Sequence, residues 1–160
     1  ENGGGALWDI GPYAIHTLRQ CFKENPIRVK AIAKLNEHGA DISTTGLIDF
    51  GNNKRATFDI SFECTRRSEF EAFGPLGRVK CPTVWQPEDK QSKIIMNTES
   101  SGLTEEVVPA ANHFILEVNH FNKIISSDIS PKLTNEDALW NARTLESIEQ
   151  SIKVESWVNL

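Results

Sequence analysis

The chain has 160 residues, 22 acidic against 17 basic side chains, a formal net charge of -5 and a hydrophobic fraction of 39%. That length suits one domain and buries a core without disulfide staples, the apolar content excludes a disordered chain, and the acidic balance removes the electrostatic basis for holding nucleic acid or an anionic membrane. No apolar run approaches the roughly 18 residues of a membrane helix, and the opening Glu1-Asn2-Gly3-Gly4-Gly5 lacks the basic and apolar stretches of a signal peptide.

After that flexible glycine lead, Ile10, Ala14, Leu18 and Cys21 recur at helical spacing and predict a helix to about Phe22. Pro12 fits its first turn and Asp9 its N-cap. Residues 27–35 alternate apolar with basic side chains, and residues 41–50 form a second strand rich in Ile and Thr. Gly51-Asn52-Asn53 has hairpin chemistry, since Gly and Asn accept positive φ cheaply. The clearest alternation follows: Ala56, Phe58, Ile60, Phe62 and Cys64 on one face, with Arg55, Thr57, Asp59, Ser61 and Glu63 on the other. Further strands are expected at 69–73, 78–81, 94–97 and 104–108, with a long loop over 82–91.

Two helices close the chain. Phe114, Val118, Phe121 and Ile125 make the stripe of the first; Thr134-Asn135-Glu136-Asp137 is a capping-box start for the second, whose apolar face is Leu139, Ala142, Leu145, Ile148 and Ile152. Strands in series without intervening helices predict an α+β fold, an open and mainly antiparallel β-sheet with helices packed on one face, read as a single domain over 1–160. Such a sheet keeps its other face free. Here that face carries Thr57, Asp59 and Ser61, either solvated or serving as a subunit interface.

Cys21, Cys64 and Cys81 are odd in number, widely spaced and outside any CxxC pair, which argues against a disulfide framework or zinc site and for a cytoplasmic setting. The chain opens at Glu1 and its only methionine is Met96, so a processed product or a fragment is expected.

Asp9, Tyr13 and His16, at spacings of four and three, share one helical face. An aspartate beside a helix N-terminus is stabilised as an anion and accepts hydrogen bonds from a hydroxylated substrate. A tyrosine one turn on can move a proton if a neighbouring ammonium lowers its phenol from about 10. The same spacing also fits an N-cap aspartate, a packed tyrosine and a structural histidine. His113, Glu117 and His120 share a face of the later helix; this spacing can ligate zinc, but no fourth ligand accompanies it and a polar surface explains it. Arg66 and Arg67 are either phosphate contacts or solvated charges, and Trp85 and Gln86 lie in the long loop, where pocket shaping and core packing are both open.

The segment Gly3-Gly4-Gly5-Ala6-Leu7-Trp8-Asp9-Ile10-Gly11-Pro12-Tyr13 resembles the GGGxLxDxGxY/H segment of the Gfo/Idh/MocA oxidoreductases, the glucose–fructose oxidoreductase and inositol dehydrogenase family. Glu24-Asn25-Pro26-Ile27-Arg28-Val29, Asp41-Ile42-Ser43-Thr44-Thr45-Gly46, Phe73-Gly74-Pro75-Leu76-Gly77-Arg78-Val79, Asn135-Glu136-Asp137-Ala138-Leu139-Trp140-Asn141 and Trp157-Val158-Asn159-Leu160 resemble its later motifs in order. The resemblance covers the family's C-terminal domain, which is of the glyceraldehyde-3-phosphate-dehydrogenase-like type. It does not cover the Rossmann domain that holds NAD or NADP and carries a lysine, so cofactor-binding residues in this chain stay unknown. It implies a sugar, polyol or trans-diol substrate oriented by Asp9, with Tyr13 as the acid/base residue. His16, Asn112 and His113 become substrate-side candidates. It also implies a homodimer or homotetramer through the open sheet face, no metal, and little activity for this chain alone. A non-catalytic binding or dimerising module with the same fold is the alternative.

Overall fold

A computed structural model describes residues 4–85, 90–127 and 129–160. The span read as one domain divides into two compact units, residues 1–64 with 133–160, and residues 65–132. The expected strands form two four-stranded antiparallel sheets, not one.

The first unit opens with α1 (Ala6–Asp9) and α2 (Gly11–Phe22), followed by β1 (Arg28–Leu35), β2 (Asp41–Gly51) and β3 (Lys54–Ser61). Its remaining elements are the last helix, Asn135–Val154, and the last strand, Val158–Asn159. The sheet order is β3, β2, β1 and then that short strand. The expected alternation sets its inner face: Val29 and Ala31, Ile48 and Phe50, and Ala56, Phe58 and Ile60 are buried, joined by Ala6, Leu7, Ile15, Leu145 and Ile148 from the helices. Gly46 faces Phe58 across the ladder, where an added Cβ would stand 2.6 Å from the ring. The Asn52-Asn53 turn has φ of 50° and 62°, the left-handed geometry expected of a tight hairpin.

Two expectations fail here. The strand predicted through Cys64 stops at Ser61, whose partner Ser43 is the last in the β2–β3 register; Phe62 and Cys64 are exposed. The single helix predicted from Asp9 is two. Pro12 has no N–H to offer the carbonyl four residues back and its ring crowds that carbonyl, so α1 ends at Asp9 and α2 restarts at Gly11. Asp9 is therefore the last residue of α1 and not an N-cap.

The last strand pairs with β1 only at Arg28 and Val29. Beyond it, the buried Ala31 N–H donates to Ser151 Oγ at 3.0 Å, and that hydroxyl donates to the Ser156 carbonyl at 2.6 Å. Ser151 thus replaces the missing ladder. Ser151→Ala, which orphans a buried donor and an acceptor, is expected to lower the unfolding free energy by about 2 kcal/mol in urea titrations.

The second unit has β4 (Phe70–Gly74), β5 (Gly77–Cys81), β6 (Ser92–Thr98) and β7 (Gly102–Val108) in sequential order, then α3 (His113–Ser127). The last helix is thus α4 and the last strand β8. The stripe of α3 forms as spaced, but Phe114, Val118, Phe121 and Ile125 are all exposed. Periodicity reports the helix and not what covers it. Of the long loop, residues 86–89 lie outside the described residues.

Candidate active-site edge

The site grows from α1 and α2. The Asp41 carboxylate reaches back from β2 to cap α1, with Oδ2 accepting from Leu7 N at 2.8 Å and from Thr44 Oγ1 at 2.7 Å. Gly5 supplies the room for this approach. Trp8 ties α1 to α4 through its indole N–H, which donates to Glu149 Oε2 at 3.2 Å. The Lys153 ammonium, and then the Trp8 indole, hold the Glu149 carboxyl below its ordinary range against the opposing effect of burial. These contacts fix Asp9, which is exposed at the end of α1. Tyr13 follows in the first turn of α2, with 56% of its surface exposed. The two retain the four-residue spacing on the accessible side of this segment.

His16 goes elsewhere. Its Nδ1 lies 3.3 Å from Asp137 Oδ2, and the ring is half-buried. Asp137 also receives Gln20 Nε2 at 3.0 Å, and Arg19 Nη2 stands 3.2 Å from its Oδ1. Arg19 is 6% exposed and donates to the Asp137 carbonyl and to Asn25 Oδ1 as well. Both oxygens of Asp137 are thus committed to α2. Its backbone N–H meanwhile donates to Thr134 Oγ1, the predicted cap of α4.

Asn112 and His113 belong to the other unit. Asn112 caps α3, its Oδ1 accepting from Ile115 N at 3.1 Å, and the His113 ring packs on Phe114 with centroids 4.3 Å apart. An open depression of about 280 Å³ is lined by Asn112, Phe114, Ile115, Val118 and Asn119. No group of three His, Cys, Asp or Glu side chains that could hold a metal occurs among the described residues. His120 Nε2 accepts from Lys132 N at 3.4 Å. Arg67 stands 4.0 Å from Glu69, and Arg66 is exposed. Trp85 is partly exposed with a φ of 51°, while Gln86 lies outside the described residues. No described helix is long and apolar enough to cross a membrane.

The residues that sequence reading missed are Asp41, Glu149, Asp137 as a carboxylate clamp, and Asn141. Each acts across 34 to 141 positions, beyond the reach of local spacing.

This α+β architecture recurs in the aldose–aldose oxidoreductase of Caulobacter crescentus, crystallised with glycerol. The superposition has a TM-score of 0.82 at 20% identity and covers 98% of this chain and 48% of that one. In sequence the chain is 28% identical over 162 residues to an uncharacterized oxidoreductase of Rhizobium meliloti, covering 97% of this chain and 48% of the relative. It is 24% identical over 164 residues to the NADP-dependent D-xylose 1-dehydrogenase of Haloarcula marismortui, covering 99% and 45%. The chain therefore spans about half the length of these relatives, and it aligns with their C-terminal halves. The profile of the GFO/IDH/MocA C-terminal domain matches residues 1–80, and the chain belongs to that oxidoreductase family.

Proposed function

We propose that this chain is the substrate side of an NAD(P)-dependent oxidoreductase acting on a sugar, a polyol or a trans-diol. The observation that carries the reading is the exposed Asp9–Tyr13 edge, held through Leu7 and Trp8 of α1 and lying within the family-matched residues. Tyr13 presents more than half of its surface to solvent, where a substrate can reach it. The Asp9 carboxylate accepts hydrogen bonds from substrate hydroxyls. Tyr13, helped by a lysine outside this chain, takes the hydroxyl proton as the carbonyl forms and returns it in the reverse direction.

A nicotinamide cofactor supplies or takes the hydride. We assign its dinucleotide cradle to the other half of such an enzyme, because both sheets described here are antiparallel and a dinucleotide fold is built on a parallel one. The chain alone is therefore assigned neither cofactor affinity nor turnover. The outer face of the first sheet, where Ile32 and Leu47 are exposed beside Thr45 and Thr57, is assigned to contact between subunits in a homodimer or homotetramer.

The test is a dehydrogenase screen of the full-length protein with aldoses, inositols and trans-diols against NAD and NADP, beside calorimetry on the 160-residue chain. Turnover by the former without cofactor binding by the latter is expected. A full-length protein that binds sugars without any turnover would favour the non-catalytic module, and micromolar cofactor affinity in the short chain would overturn the division of labour.

A further inference from the structure

We infer that Asn141 is a positioning residue for Tyr13; the inference rests on the reading of Tyr13 as the acid/base group. Asn141 stands in the second turn of α4, and its Nδ2 donates to the Pro12 carbonyl at 3.2 Å, one residue before Tyr13. One helical turn earlier on α4, Asp137 grips His16, Arg19 and Gln20. Residues 137 and 141, four apart on α4, therefore bracket Tyr13 from both sides along α2. A slide of α2 by one residue, about 1.5 Å, would break every rung.

The first turn of α2 needs this help. Its cap position is Ile10, which offers no side-chain hydrogen bond to the orphan N–H groups of the first turn. The other half of the Asn141 amide shows what the residue is for. Its Oδ1 is buried without a hydrogen-bond partner among the described residues. An unpaired buried acceptor is costly, and a leucine of similar size would avoid that cost. What leucine cannot supply is the N–H to Pro12. The fold tolerates the orphaned oxygen and retains the donor that sets the start of α2, and with it the direction of the Tyr13 side chain.

A tyrosine displaced by about 1 Å loses on the order of a hundredfold in rate while its substrate still binds. In the full-length protein, Asn141→Leu and Asn141→Ala are each expected to lower kcat by about ten- to a hundredfold. The substrate KM and the cofactor Kd should stay within about threefold. The decisive arm repeats both substitutions in a Tyr13→Phe background, where they should lower the residual kcat by less than about twofold, because residues acting through one group are not additive. An unchanged kcat in the single variants, or the same fold-loss with and without the Tyr13 hydroxyl, overturns the inference. Near-normal turnover of Tyr13→Phe alone would instead overturn the functional reading beneath it, and the single variant reports that separately. Two replacements of different size keep the test intact if one fails to fold.

Discussion

Gly5→Ala is expected to destabilise the first unit by about 3 kcal/mol, a large effect for one methyl group. The glycine has φ of -141° and ψ of -163°, an extended conformation open to any residue, so its backbone angles do not demand glycine. Space does. A Cβ there would stand 2.0 Å from Asp41 Oδ1, 2.5 Å from the Asp41 carbonyl and 2.8 Å from Asp41 Cγ. The obstacle is backbone and a committed carboxylate, not the free end of a flexible chain. Moving Asp41 aside forfeits its bonds to Leu7 N and Thr44 Oγ1, leaves the start of α1 uncapped and shifts the segment that carries Asp9. Urea unfolding reads the loss as a lower midpoint at unchanged slope. Gly74→Ala, where a Cβ meets nothing within 4 Å, is the control and should change little. Wild-type stability in Gly5→Ala would show that the Asp41 cap does not hold α1.

The glycine run illustrates how far the sequence could be read. Gly3-Gly4-Gly5 reads as a flexible lead, and its resemblance to a family motif marks it without saying why glycine is needed. The reason is a carboxylate 36 positions away. Local patterns were legible because their causes are local: the two-residue alternation that buries Ala56, Phe58 and Ile60, the Asn52-Asn53 hairpin, and the Thr134 cap of α4. The alternation could not report its own end, because Phe62 and Cys64 continue the pattern where both side chains are exposed, past the last register pair of Ser43 with Ser61 and a single Phe62 N–H bond to the Ile42 carbonyl. Pro12 fits a first turn, and it does sit in one, but in a second helix that it forces to restart. The α3 stripe was legible as a helix, while its exposure depends on tertiary context that spacing does not contain.

The candidate site divides the same way. Asp9 and Tyr13 were found by spacing and by family resemblance, and both are exposed on the α1–α2 segment. His16 shares that spacing, yet its Nδ1 is turned toward Asp137. The clamp from α4 that separates these fates joins residues more than a hundred positions apart.

The second large effect is Tyr13→Phe in the full-length protein, and it tests the central claim most directly. The substitution removes one hydroxyl from a side chain that is 56% exposed, so stability should move by no more than about 0.5 kcal/mol. Cofactor affinity, set by the other half of such an enzyme, should hold. The loss of a positioned general acid and base should lower kcat by about a hundred- to ten-thousandfold. Steady-state kinetics beside cofactor titration of the same preparation measure both quantities. A steep fall in kcat with cofactor Kd unchanged is the predicted result; near-normal turnover would contradict the account.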